Sequence, residues 1–233
     1  MSKNKMSVRL QSPEVSLIIP AKNEVKTICG VIQDAKKHAP LPVQIIVVDG
    51  GSNDGTEKMS GKEGAEVLVE LRPGYGRAIR SGLERGKGDV FIIMDADGTY
   101  EASDMRELVE PLLEGKADIV LASRITGLML PGSMPPVNYV GNIVLTWLYN
   151  KLYGQSISDS QTGFRALTRK AFETMTFREE DMAFSTEMLT QAVRCGLRVA
   201  EVPSTYKRRD NRSKSKMKRI RAGWEVFRVL VSK

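Results

Sequence analysis

Histidine is almost absent from this chain. Its one representative, His38, stands beside Ala39-Pro40 at a predicted helix end, where a surface or capping role suits it, and histidine acid–base chemistry is all but excluded. Cysteine is nearly as scarce. Cys29 and Cys195 lie far apart and form no CxxC pair, so they read as buried thiols of a reducing compartment, with neither a disulfide framework nor a zinc site. No apolar run reaches the roughly 18 residues that a membrane-spanning helix needs. Residues 1–14 are polar and basic without an apolar core, so no secretion signal is expected, and the glycosylation-like Asn211-Arg212-Ser213 is read as chance. No internal repeat and no low-complexity linker interrupts the chain.

What remains is ordinary in bulk and uneven in charge. The 233 residues, 41% hydrophobic and 27% charged, suffice for one sizeable α/β domain with its own core. Of the net charge of +7, Lys207 to Arg221 account for more than all: nine Lys or Arg against one Asp. Inference about charged partners therefore belongs to that segment.

The apolar run Val90 to Met94 reads as a buried strand and leads directly into Asp95-Ala96-Asp97. Strand side chains alternate, so the two carboxylates point to one side, just past the strand's carboxyl end, where open α/β sheets bind ligands. Two hard oxygen donors suit Mg²⁺ or Mn²⁺ together with the phosphates of a substrate. A polar turn would use the same residue types. A second cluster, Asp49-Gly50-Gly51-Ser52-Asn53-Asp54-Gly55-Thr56, follows the strand 43–48, and strand 15–19 runs into Pro20-Ala21-Lys22-Asn23-Glu24. Such strand-end carboxylates can accept hydrogen bonds from a ribose or a base, or merely shape turns and caps. Three clusters at successive strand ends favour the ligand reading.

The remaining pattern is helix 24–38, helix 55–63, strand 66–69, helix 75–86, helix 103–113 with Ser103 as its N-cap, and strand 118–122. This predicts βα units of a mostly parallel, Rossmann-like sheet flanked by helices. Gly74-Tyr75-Gly76-Arg77-Ala78-Ile79 begins like a dinucleotide fingerprint but has Ile in place of its third glycine. A dehydrogenase reading is weak, while pyrophosphate contact by its N–H groups stays open. Residues 125–136 read as a mobile or irregular loop, and residues 138–153 as an apolar, aromatic helix that is core or covers a lipid-sized groove. Asp159 to Arg165 form a polar loop.

In order, Pro20-Ala-Lys-Asn-Glu24, Asp49 to Thr56, Asp95-Ala-Asp97, Ser123-Arg124 and Asp159-Ser-Gln-Thr-Gly-Phe-Arg165 resemble the family-2 inverting glycosyltransferases, in the dolichyl-phosphate mannose synthase-like branch. The resemblance spans roughly residues 14–216. It implies a GT-A fold, a nucleotide-sugar donor, a divalent metal and a polyprenyl phosphate acceptor. It further implies donor binding by Pro20, Ala21, Glu24, Asp49, Asp95 and Arg209, and metal binding by Asp95 and Asp97. Asp159, Arg124 and Glu187 take the catalytic positions near phosphate and sugar, and Arg124 and Arg165 face the acceptor. The stretch around Arg208, Arg209 and Lys214 takes the place of a loop closing on the diphosphate. Two departures are Thr99, where many mannose synthases carry Gln, and Val137-Asn138-Tyr139, where the acceptor-side helix usually begins with Arg.

These implications divide the chain into a disordered start at 1–13, a catalytic domain at 14–206, and a basic loop with an amphipathic segment at 207–233. Ile220, Trp224, Val226, Phe227, Leu230 and Val231, flanked by Lys and Arg, suit an anionic membrane surface. The expected location is thus peripheral, at the cytoplasmic face of a membrane. The rival readings are transfer to a saccharide hydroxyl with Asp159 as base, a nucleotidyltransferase, and a nucleic-acid-binding module on residues 207–221. The last is disfavoured because aromatics are missing from the basic stretch until Trp224, so no nucleic-acid partner is expected.

Overall fold

The computed structural model describes residues 14–209 and 219–232. The expected disordered start and the basic loop at 210–218, Lys214 included, lie outside the described residues.

β-branched runs build a seven-stranded sheet from β1 (Val15–Ala21), β2 (Val43–Asp49), β3 (Glu66–Val69), β4 (Val90–Ile93), β5 (Ile119–Ser123), β6 (Arg165–Thr168) and β7 (Val199–Pro203). Their spatial order is β3-β2-β1-β4-β6-β5-β7. All neighbours pair in parallel except β6, which runs antiparallel to both β4 and β5. One face is covered by α1 (Ile28–His38), α2 (Thr56–Lys62) and α4 (Met105–Leu113), whose Ile32, Met59 and Leu108 pack with Leu17, Ile19 and Val47. On the other face lie α3 (Tyr75–Arg85), α5 (Pro136–Tyr153), α6 (Arg169–Thr174), α7 (Phe184–Arg194) and α8 (Arg219–Val231). Their Ile79, Tyr149, Ala171, Met188 and Val226 pack with Ile18, Ile46 and Phe91. The predicted α/β sheet with flanking helices is the architecture found.

The reversal at β6 places a further loop beside the strand-end clusters. Arg165, the first residue of β6, is in register with Ile93 of β4 and Leu121 of β5. The loop entering β6 therefore arrives at the same sheet edge that the parallel strands reach with their carboxyl ends.

Several expectations are corrected. Helix 24–38 starts at Ile28, because the N–H groups of Glu24 and Val25 are drawn to Thr56 Oγ1 (2.8 Å) and Asp54 Oδ2 (3.2 Å) on the neighbouring loop. Ser103 is no N-cap: it lies within the 3-10 turn Ala102–Asp104, and α4 begins without a side-chain cap. Both cysteines are half-buried, not buried. Loop 125–136 is irregular but pinned, with Leu128 N donating to Ser204 O, Leu130 N to Tyr206 O and Tyr206 N to Leu128 O at 2.8–3.1 Å. The apolar helix α5 is core only in part. It buries Asn142, Thr146 and Tyr149, packs Leu145, Leu148 and Tyr153 against the core, and turns Val137, Val140, Ile143, Val144 and Leu152 outward. No helix among the described residues is long and apolar enough to cross a membrane.

Candidate active site

The ends of β1, β2 and β4 hold the three acidic clusters side by side. Ala21 pairs with Asp49 across β1 and β2, and Gly50 N donates to Ala21 O at 2.8 Å. The Pro20–Glu24 loop is tied to the next one by Asn23 N donating to Ser52 Oγ (2.8 Å) and Asn53 N to Asn23 Oδ1 (2.9 Å). Asn23 itself takes φ 53°, a left-handed conformation that Asn tolerates better than most residues. Asp54 serves as a turn residue, accepting from Val25 N, Thr56 N and Thr56 Oγ1.

Asp49 is different. It is buried, its Oδ1 accepts from Ser52 N at 2.7 Å, and its Oδ2 has no hydrogen-bond partner among the described residues. A buried acceptor without a partner costs on the order of 1–3 kcal/mol, which a ligand donor would recover.

Asp95 and Asp97 follow β4 as the alternation requires. Asp95 accepts from Tyr75 Oη at 2.9 Å, and burial, then the Asp97 charge, pushes its carboxyl up to about 6. Asp97 accepts from Thr99 N (3.0 Å) and Thr99 Oγ1 (2.7 Å). Arg209 lays its guanidinium on Asp97 and reaches toward Glu24 at 3.9 Å. Gly163 closes over the pair: a Cβ there would fall 2.5 Å from Asp95 Oδ2. Adjacent hard carboxylates, drawing in a cation from the chain itself, fit a divalent ion such as Mg²⁺ or Mn²⁺.

Arg124, just past β5, meets Asp159 on the loop entering β6. Its Nε donates to Oδ2 at 2.7 Å, its Nη2 to Oδ1 at 2.8 Å and its backbone N to Oδ2 at 3.1 Å. Asn142 Nδ2, from α5, donates to Oδ1 at 2.7 Å. Burial alone would raise the Asp159 carboxyl, but the Arg124 charge and these hydrogen bonds outweigh it and hold the group below the usual carboxylate range. Tyr206 lies under the guanidinium, 5.3 Å from Arg124 Cζ to its ring centroid, and packs on Tyr100.

Two expected site residues work from behind the surface. Arg165 is 1% exposed and spends its donors on the carbonyls of Ser185 and Thr162, so it offers no open face to an acceptor. Glu187 accepts from Arg178 N and Glu179 N at 2.9–3.1 Å, fixing the turn that runs over the start of α3. There, Arg77 N donates to Glu180 O, while Gly74 and Gly76 let the turn approach more closely than any Cβ would. The Gly74–Gly76 stretch thus seats a loop of its own chain at the start of α3.

Sequence reasoning missed Tyr75, Tyr206, Asn142, Gly163 and Glu201. Glu201, on β7, accepts from Ser158 N (2.6 Å) and Asp159 N (2.9 Å) and so fixes the Asp159 loop. Only Asn142 carried a local signal, as an amide among the apolar residues at the middle of α5.

The profile of Glycosyl transferase family 2 matches residues 16–176. Glycosyltransferase AglJ of Haloferax volcanii is 35% identical over 214 residues, covering 91% of this chain and 69% of that protein. The low-salt glycan biosynthesis hexosyltransferase Agl6 of the same organism is 34% identical over 94% of this chain, which spans only 54% of its length. A dolichyl-phosphate hexose transferase, also from Haloferax volcanii, is 28% identical over 86% of each chain. Among solved structures, glucosyl-3-phosphoglycerate synthase from Mycobacterium tuberculosis, in complex with Mn²⁺, UDP and glucosyl-3-phosphoglycerate, superposes with a TM-score of 0.75. It is 23% identical, over 94% of this chain and 79% of that one, a likeness of fold.

Proposed function

The chain belongs to glycosyl transferase family 2, and from that premise we propose that it moves a hexose or N-acetylhexosamine from a UDP- or GDP-linked donor to a polyprenyl, dolichyl-type phosphate, with inversion. The state of Asp159 carries the choice of acceptor. A saccharide hydroxyl must lose a proton to attack, and so needs a base near neutral pH. Asp159 is a poor one: both its oxygens are engaged by Arg124 and Asn142, and its carboxyl is held below the usual range. A phosphate monoester, with its second pKa near about 6, is mostly dianionic at neutrality and attacks unaided. The similarity to a dolichyl-phosphate hexose transferase supports the same acceptor class.

In this mechanism the donor's base or ribose donates to Asp49 Oδ2, beside the Pro20–Glu24 loop. Asp95 and Asp97 hold Mg²⁺ or Mn²⁺, which when bound offsets charge on the diphosphate. Arg209 exchanges Asp97 for the diphosphate, and Arg124 faces the acceptor phosphate while Asp159 fixes its guanidinium. The phosphate oxygen bonds to the anomeric carbon as that carbon's bond to the diphosphate oxygen breaks, and the nucleoside diphosphate leaves. Fixed cationic donors stabilise the charge gathering on it. Glu187 and Arg165 act at one remove, by positioning the loops they hold. Such an enzyme works peripherally at the cytoplasmic face of a membrane, where its basic segment meets anionic lipid.

The test offers the purified chain a panel of UDP- and GDP-sugars with a short-chain polyprenyl phosphate or a disaccharide, products being read by mass spectrometry and the anomeric configuration by NMR. Inverted glycosyl phosphate is expected. Sugar on the disaccharide and none on the phosphate would overturn the reading.

A further inference from the structure

The loop entering β6 shows one side chain to the surface. Asp159, Ser160, Thr162, Phe164 and Arg165 are buried, which leaves Gln161 and Gly163, and Gly163 has no side chain. Gln161 stands midway between Asp159, which holds Arg124, and Gly163, which packs on Asp95.

The direction of its amide follows from counting protons. Ionised Asp159 can only accept, so Asn142 turns Nδ2 toward it at 2.7 Å and Oδ1 away. Thr146 then spends its single hydroxyl proton on Asn142 Oδ1 at 3.0 Å. The 2.9 Å contact between Thr146 Oγ1 and Ser160 Oγ must therefore use the proton of Ser160. Ser160 Oγ has none left for Gln161, so Gln161 Nε2 donates to it at 2.8 Å, with Thr186 Oγ1 3.4 Å from the same nitrogen. A carboxamide whose nitrogen is fixed has its oxygen fixed too. Oε1 points off this relay, and no donor among the described residues meets it.

We infer that Gln161 Oε1 reads the transferred sugar by accepting a hydrogen bond from one of its hydroxyls, and that Asn142, Thr146 and Ser160 position it for that contact. The sugar of a donor lies between the diphosphate at Asp95 and Asp97 and the acceptor at Arg124. Gln161 is on the loop that runs from one to the other. An amide free to turn would offer a hydroxyl its N–H₂ or its oxygen alike. One held by a chain of donors that ends on a buried carboxylate presents the acceptor alone. A site built to hydrogen-bond a substrate hydroxyl rejects the analogue lacking it, because its own polar group is then left unpaired. This sugar contact rests on the nucleotide-sugar reading of the site and not on the identity of the acceptor.

The full chain is titrated calorimetrically, with Mn²⁺ and no acceptor, against UDP-glucose, UDP-N-acetylglucosamine and GDP-mannose. For the donor that wild type binds most tightly, analogues with one sugar hydroxyl replaced by fluorine are titrated beside the parent. One of them should bind wild type about three- to tenfold more weakly than the parent, the equivalent of a neutral hydrogen bond. Gln161→Leu should bring that ratio to about one, as a double-mutant cycle requires of two groups in contact. Gln161→Met serves as the second variant should leucine impair folding. Ser160→Ala keeps the Gln161 side chain but frees its amide, and should shrink the same ratio. A wild-type ratio near one for every analogue, or a ratio that Gln161→Leu leaves intact, would overturn the contact. So would a variant that loses affinity for UDP or GDP as much as for the nucleotide sugar, the mark of a merely structural side chain. A ratio untouched by Ser160→Ala would overturn the relay. Were none of the three donors bound, the nucleotide-sugar reading would fall and the contact with it. A wild type that discriminates as expected yet glycosylates no polyprenyl phosphate would keep the contact and lose the acceptor.

Discussion

Arg124 grips Asp159 at two points, Nε to Oδ2 at 2.7 Å and Nη2 to Oδ1 at 2.8 Å, across loops that leave two neighbouring strands of opposite direction. The contact couples the carboxyl end of β5 to the entry of β6, so the pair is both a fastening of the sheet edge and an element of the site. Removing one partner of such a pair leaves an unmatched buried charge.

Asp159→Asn should therefore cost about 3–5 kcal/mol of stability, along with most of the transfer activity. The folded-state pKa of Asp159 is depressed below its ordinary 3.8, so its contribution is present above that value and is lost as pH falls through the lower folded value. The melting-temperature gap between wild type and D159N should accordingly be full at pH 7 and shrink below about pH 4. A gap that stays constant down to about pH 2 would show that charge at Asp159 does not carry the stability.

Asp97→Asn should behave in the opposite way. It relieves repulsion on buried Asp95 while losing the charge that buried Asp97 sets against Arg209, so the two effects oppose each other. Stability without metal should hold or rise. Thermal shifts with nucleoside diphosphate and Mn²⁺ check the ligand side: wild type should gain several degrees, reversed by a chelator, and D97N should not. Near-normal turnover by D97N would sink the metal assignment.

The parallel half of the molecule is legible from the sequence because β1, β2 and β4 are apolar runs rich in Val and Ile, each leading into a polar loop. Asp49, Asp95 and Asp97 follow from that pattern alone. Legibility fails where tertiary context decides. β6 has four residues and opens with Arg165, so it reads as the end of a polar loop until its pairing with β4 and β5 is known. α5 reads as core or as the cover of a groove because its composition is apolar, and its neighbours Asp159 and Ser160 explain why Asn142 and Thr146 face inward. Resemblance places Arg165 and Glu187 in the right region, but the direction of their side chains is a property of packing.

Asp49→Asn isolates the donor contact. The substitution preserves the Oδ1 bond from Ser52 N and replaces an acceptor without a partner by an N–H₂ donor. Affinity for the preferred nucleoside diphosphate should fall roughly 10- to 100-fold, the equivalent of a lost hydrogen bond to a charged group, while the melting temperature without ligand stays level or rises. Calorimetric titration reads the first and thermal denaturation the second. Unchanged affinity would mean that Oδ2 faces no ligand.

Gly163→Ala tests whether the antiparallel strand matters to the carboxylate pair. The added Cβ would lie 2.5 Å from Asp95 Oδ2 and 3.1 Å from its Cγ, so either the Asp159–Arg165 loop or the Asp95 side chain must move. The loop is held at Asp159 by Arg124, Asn142 and Glu201, and at Gly163 by a bond from its N–H to Tyr100 Oη at 2.9 Å. Among the described residues Asp95 is held by Tyr75 Oη, and at Oδ1, not at the crowded Oδ2, so Asp95 is the side that yields. Overpacking of this kind costs about 1–3 kcal/mol. The larger effect should appear in catalysis: the Mn²⁺ concentration needed for half-maximal turnover should rise at least about tenfold, as when a neighbour that orients a metal ligand is lost. The nucleoside contact proposed for Asp49 lies on another loop, so affinity for the free nucleoside should not change. A G163A protein with unaltered metal dependence would show that the loop entering β6 does not govern the position of Asp95.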